Sequence, residues 1–81
     1  MSQNSPTGVQ GVIHEALERY FEHLDGADVT NLYQFFIDEI ERPLFQCVMN
    51  KCNHNQTRAA EMLGISRNTL RKKLQQYQIE K

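Results

Sequence analysis

The chain has 81 residues and is expected to be all-α. Two observations carry that expectation. Apolar residues recur at three- and four-residue spacing, which lays them along one side of a helix. The breaks between these periodic segments carry helix stops and caps: Asp25-Gly26, Thr30, Asn55, Gly64 and Ser66. The reading is two long helices followed by two short ones. A chain of this length makes at most one domain and buries a thin core of its own.

Residues 1–8 are polar, with Ser, Asn, Pro and Gly, and are expected to be a disordered tail. From Val9 to Leu24 the apolar positions are Val12, Ile13, Ala16, Leu17, Tyr20, Phe21 and Leu24, one broad stripe on a helix. His14 and His23 fall on the opposite, acidic face, as solvated side chains without partners. Asp25-Gly26 is the stop, since glycine tolerates the left-handed conformation of a helix end. Thr30 is the expected N-cap of the next helix.

That second long helix carries Leu32, Phe36, Ile40, Leu44, Val48 and Cys52 at four-residue steps, with Tyr33, Ile37, Phe45 and Met49 in the adjacent row. At about twenty residues it is roughly 30 Å long. It is too apolar for a surface helix on so small a chain, and a second copy of the chain is the simplest source of cover. Residues 9–52 are therefore expected to be a helical dimerisation core. Pro43 removes one backbone donor in mid-helix, but the apolar period runs through it, which favours a kink over a break. Cys47 and Cys52, five residues apart on one helix, face different sides and are expected to stay reduced. Cys52 and His54 lack further ligands placed to complete a metal site.

Residues 53–81 read as a helix-turn-helix unit. Lys51 to His54 is a short connection, Asn55 an N-cap, and Ala59, Ala60 and Leu63 the apolar side of a short helix. Gly64 supplies the positive φ of a tight turn. Ala60 is small enough for a close helix crossing, and Leu63, Ile65 and Leu70 fill the angle. Ser66 caps a final helix from Arg67 to about Tyr77, whose inward face is Leu70, Leu74 and Tyr77.

Net charge is −1, but it is unevenly spread. Residues 1–50 hold two arginines against eight acids, a net of −6, whereas residues 51–81 hold seven bases against Glu61 and Glu80, a net of +5. An acidic half and a basic half orient a protein on a polyanion. Arg67, Asn68 and Arg71 project from the last helix; Arg matches guanine O6 and N7, and Asn pairs with adenine. Arg67, at the start of that helix, is the expected base reader, with Ser66 and Asn68 beside it. Arg71, Lys72 and Lys73 are expected to hold phosphates, which anchor without specifying. Asn55, Gln56 and Thr57 lie at a helix N-terminus, where free amides and the helix dipole suit a second phosphate. Arg58 either adds to that contact or pairs with an acid. Alone, the run Arg71-Lys72-Lys73-Leu74 is also what a solvated helix face looks like. The two-helix unit and the acidic N-terminal half tip the reading to duplex DNA.

The stretch NQTRAAEMLGISRNTLRKKLQQY, Asn55–Tyr77, resembles the Fis (factor for inversion stimulation) family of bacterial nucleoid-associated, transcription-regulating proteins. The likeness continues upstream through ALERYFEHLDGADVTNLYQFFIDEIERPLFQCVM, Ala16–Met49, and covers about residues 12 to 78. The C-terminal motif alone is shared with the DNA-binding ends of enhancer-binding activators. The resemblance implies four helices per subunit, the first two intertwined in a dimer core. It also implies two recognition helices closer together than one DNA turn, so that the DNA bends, with degenerate sites read largely by groove shape. By position the family's DNA contacts fall on Asn55, Thr57, Ser66, Arg67, Thr69, Arg71, Lys72 and Lys73, and the guanine-reading arginine is Arg67. Three departures stand out. Gln75 and Gln76 replace basic residues, which predicts weaker non-specific binding and a shallower salt dependence. Ser66 stands where Asn is common. About eight residues precede the first helix, so the N-terminal hairpin arm of some members, and its role in DNA inversion, are not expected.

The expected function is a homodimeric, DNA-bending transcription regulator. A second reading is an adaptor that contacts RNA polymerase or another regulator through Cys52–Gln56 and the turn near Gly64. A third is the isolated DNA-binding end of an enhancer-binding activator, against which Met1 and the two upstream helices speak. There is no glycine-rich phosphate loop, metal set or nucleophile with a placed base, so no enzyme and no cofactor is expected. There is no run of eighteen apolar residues, and the N-terminus has no basic start followed by an apolar stretch, which favours the cytoplasm; the resemblance implies the nucleoid. Target promoters, and activation against repression, are not written in the sequence.

Overall fold

The computed structural model describes residues 8–24 and 29–79. The fold is all-α: α1 (Val9–Leu24), α2 (Leu32–Lys51), α3 (Gln56–Leu63) and α4 (Arg67–Gln76). The expected tail up to residue 7 and the Asp25-Gly26 stop lie outside the described residues. α1 belongs to one compact unit, and α2, α3 and α4 to another.

α1 spans the 16 residues its periodicity predicts, yet none of them is buried. Its apolar stripe includes Val12 and Phe21, exposed by 60% and 49%. Both histidines prove to have local partners. His14 Nε2 lies 3.3 Å from Glu18 Oε2, and His23 Nδ1 donates to the Arg19 carbonyl at 2.8 Å. Both contacts span four residues; His14 and Glu18 meet as side chains on one helix face, and His23 reaches back to a backbone carbonyl.

α2 begins one residue later than the sequence suggests. Its N-cap is Asn31, not Thr30; Asn31 has φ 59° and makes no side-chain cap bond. The turn needs a left-handed residue. Asn adopts that conformation several-fold more readily than a β-branched Thr. The helix then runs unbroken through Pro43 for 20 residues, and Lys51 is its last residue rather than part of the connection.

Two faces of α2 differ in kind. Phe45, Val48, Met49 and Cys52 are buried in the core of the second unit, together with Ala59 and Ala60 of α3 and Leu70, Leu74 and Tyr77 at α4. Leu63, Ile65 and Ile79 pack at its edge. At about 100° per residue, Phe36, Ile40 and Leu44 point roughly to the opposite side. On that side Leu44 is 45% exposed and Tyr33 79%. The thiols divide the same way, Cys52 buried and Cys47 exposed.

Three helices end by one device. The His54, Ile65 and Ile79 amides donate back across five residues to the Met49, Ala60 and Leu74 carbonyls, at 2.8, 3.1 and 2.9 Å. Each closure carries a left-handed residue: Asn53 (φ 53°), Gly64 (φ 77°) and Gln78 (φ 56°). These bonds satisfy carbonyls that a helix end leaves open, and they set where each next segment departs.

Candidate nucleic-acid interface

Both caps expected of the two-helix unit are present. Asn55 Oδ1 accepts from the Arg58 amide at 3.2 Å, and Ser66 Oγ accepts from the Thr69 amide at 3.1 Å. Ser66 Oγ also lies 3.0 Å from Thr69 Oγ1, to which it donates. Both cap residues have extended backbones, as N-caps require. α3 packs against both α2 and α4. Ala59 and Ala60 are buried on α3 and Leu70 and Leu74 are fully buried on α4, so small side chains let the large ones in. Gly64 takes its positive φ between them. The result is a helix-turn-helix with α4 as its second helix.

Most of the expected site residues are at the surface, on α4 and at the start of α3. Arg67, Asn68, Arg71 and Lys72 are exposed, as are Asn55, Thr57, Ser66 and Thr69; Gln56 and Lys73 are half-buried. At 100° per residue, Asn68 and Lys72 stand opposite the inward Leu70, Leu74 and Tyr77, while Arg67 and Arg71 line one flank. None of Arg67, Arg71 and Lys72 forms an ion pair among the described residues, so their charge faces outward uncompensated. At the start of α3 the Gln56 and Thr57 amides are first-turn donors without an intrahelical acceptor. Arg58 is exposed and has no acidic partner among the described residues.

Lys73 is placed differently. It lies on the other flank of α4, and its Nζ donates to Glu41 Oε1 of α2 at 2.9 Å. Tyr77 Oη donates to the same oxygen at 2.7 Å and lies 3.2 Å from Asp38 Oδ1. Asp38 in turn accepts from Gln34 Nε2 at 2.9 Å. Arg42 Nη1 donates to the Tyr77 carbonyl at 2.8 Å, and Phe45 stacks on the Tyr77 ring with centroids 6.3 Å apart. Together these groups clamp the C-terminal end of α4 onto α2.

The electrostatics follow from this packing. Burial pushes the Glu41 carboxyl up, but hydrogen bonds from Tyr77 and Lys73, with the Lys73 charge, outweigh it and leave its pKa below the ordinary value. Burial drives the Tyr77 phenol well above its ordinary value, and the Glu41 and Asp38 acceptors add to the shift. Glu41 is thus held ionised and Tyr77 held protonated, which suits a donor–acceptor pair.

Sequence reading missed the clamp, although a signal was there. Asp38, Glu41 and Arg42 continue, at three- and four-residue spacing, the stripe that becomes Phe45, Val48, Met49 and Cys52. Charged residues in line with a core face call for partners. Apolar periodicity cannot name those partners, which lie 32 to 39 residues away.

The family model described as "Bacterial regulatory protein, Fis family" matches residues 36–77. A "Putative Fis-like DNA-binding protein" of Pseudomonas aeruginosa is 49% identical over 67 residues, 83% of this chain and 64% of the relative. Proteins named "DNA-binding protein Fis" from Actinobacillus succinogenes and Proteus mirabilis are each 51% identical over 65 residues, 80% of this chain and 66% of the relative. The chain belongs to the Fis family of bacterial regulatory proteins. It spans 64–66% of the length of these relatives. Among the described residues, no helix is long and apolar enough to cross a membrane.

Proposed function

We propose that this protein is a homodimeric regulator that binds and bends duplex DNA. The observation that carries this reading is the outward face of α4: Arg67, Asn68, Arg71 and Lys72 exposed on a helix fixed from behind by α3 and clamped at its end by α2. Arg67 reads guanine in the major groove, with Ser66, Asn68 and Thr69 beside it. Arg71 and Lys72, with Lys73, hold phosphates, and Asn55, Gln56 and Thr57 present the α3 N-terminus to a further phosphate. Binding would hold the protein on the nucleoid.

The division into a dimerisation core at residues 9–52 and a DNA-binding unit at residues 53–81 belongs to the same reading. Support comes from what one chain leaves uncovered. No residue of α1 is fully buried, with Val12 and Phe21 exposed, and on α2 Tyr33 and Leu44 are exposed away from its core. A second copy supplies matching apolar surface for those exposed side chains. Two α4 helices mounted on such a core are spaced by protein geometry, and DNA shape then joins Arg67 in choosing sites.

A gel shift on circularly permuted DNA fragments tests binding and bending together. The reading predicts a complex whose mobility depends on where the site lies in the fragment. Affinity without that dependence removes bending, and sedimentation of a monomer at micromolar concentration removes the dimer.

A second reading has the α2–α3 turn as a docking point for RNA polymerase or another regulator. The favouring observation is that Asn53 and His54 are exposed yet fixed in consecutive left-handed conformations, a shaped knob rather than a loose loop. Substitution of His54 would then reduce activation while DNA affinity holds.

A further inference from the structure

Of the three bases in the run Arg71-Lys72-Lys73, two face outward and one is already engaged. Lys73 donates to Glu41 Oε1 at 2.9 Å, and the two side chains retain 30% and 24% of their accessible surface. The pair is therefore half-shielded, neither sealed in a core nor dissolved in solvent. Its carboxylate would not be stranded if Lys73 left, because Tyr77 Oη donates to the same oxygen at 2.7 Å. Tyr77 is itself fixed by Arg42, Phe45 and core packing. The lysine is thus the exchangeable member of the cluster. It is also the base of that run on the flank of α4 that meets α2.

We propose that Glu41 is an internal competitor for Lys73, occupying the ammonium that a DNA phosphate would otherwise take. This rests on the DNA-binding reading above and adds a residue from outside the helix-turn-helix that sets how much of its charge reaches DNA. A lysine already neutralised by a carboxylate displaces fewer counterions when it meets a phosphate, so it contributes less than a full contact to the salt dependence of binding. Glu41 acts through Lys73 and touches no DNA; it is a positioning residue. Its effect falls on every sequence alike, because phosphate contacts carry no base information. Affinity for non-specific duplex is held down while the Arg67 contact keeps its discrimination.

The test is a double-mutant cycle on the full chain, read as the slope of log affinity against log salt for a duplex without a preferred site. Glu41→Gln keeps the shape and removes the charge. It is expected to steepen the slope by up to about 0.9 per freed lysine, a change of about three- to fourfold in relative affinity between 50 and 200 mM salt. In a Lys73→Gln background the same Glu41→Gln change leaves the slope where it was. An unchanged slope for Glu41→Gln overturns the proposal. So does an equal effect in both backgrounds, which would mean only that one negative charge had been removed from the protein. Thermal melts accompany each variant. If Glu41→Gln does not fold, Lys73→Gln against Lys72→Gln decides: the proposal expects the Lys73 change to flatten the slope clearly less, and equal losses overturn it. A parent chain that binds no duplex overturns the DNA-binding reading and this inference together, whereas a parent that binds with an insensitive Glu41 overturns only the inference.

Discussion

Arg42 of α2 reaches the end of α4: its Nη1 donates to the Tyr77 carbonyl at 2.8 Å, and its guanidinium lies 5.3 Å from the centroid of the Tyr77 ring. Thirty-five residues separate the two in sequence. A cation at a helix C-terminus satisfies an open carbonyl and complements the dipole, and over an aromatic face it gains a cation–π term. α3 braces α4 through apolar packing, but α2 fixes its end with directed polar contacts. The buried Leu70 and Leu74 and these directed hydrogen bonds together hold the azimuth of α4, which decides where Arg67 and Arg71 point.

Tyr77→Phe tests that clamp. The substitution keeps the stacked ring and the Arg42–carbonyl bond but removes the hydroxyl that faces Glu41 and Asp38. Hydrogen bonds to charged groups contribute about 1.5–3 kcal/mol. The expected loss is at the lower end, about 1.5–2 kcal/mol, because Glu41 keeps Lys73 and some solvent. Urea denaturation of the two proteins at pH 7 reads it.

The clamp also predicts how stability varies with pH. Glu41 has a lowered pKa in the folded chain, so its contribution is fully present above the ordinary carboxylate value of 4.5 and is lost as pH falls through the lower folded value. Tyr77 has a raised pKa, so its contribution is present below the ordinary value of 10.0 and is lost as pH rises above it. Urea midpoints are therefore expected to fall at both extremes. In Glu41→Gln the acid limb should flatten, and a parallel acid limb would show that other carboxylates govern it.

The left-handed helix ends give a pair of opposite outcomes. A Cβ at Gly64 would meet nothing within 4 Å, so Gly64→Ala meets only the cost of its φ of 77°, about 1–2 kcal/mol. Gln78 already bears such a cost at φ 56°. Gln78→Gly relieves it but adds backbone freedom to the unfolded chain, for a net gain of up to about 1 kcal/mol. Melting temperatures of the two variants are expected to move in opposite directions.

The sequence made the helices legible where short-range chemistry sets them. Asn55 and Ser66 announce caps because their side chains reach amides three residues on; Gly64 announces a turn because its φ is open to few other residues. The run of apolar residues across Pro43 outweighed a single lost amide, and α2 is continuous there. Long-range polar chemistry was not legible in the same way. Thr30 and Asn31 both suit a helix start, and only the turn's demand for positive φ separates them. Lys73 looks like Lys72 in the sequence, and Glu41 alone, 32 positions upstream, makes the two lysines different in kind.

In the proposed function the exposed face of α4 holds duplex DNA by charge and reads it through Arg67. Fluorescence anisotropy of a labelled duplex, titrated with the parent chain and with Arg67→Ala across a series of salt concentrations, tests it most directly. The account predicts that parent affinity falls steeply as salt rises. It also predicts that Arg67→Ala costs about 1–3 kcal/mol on a preferred site and relaxes preference at one base pair. Binding that ignores salt, or an Arg67→Ala chain that binds the preferred site as tightly as the parent, would contradict it.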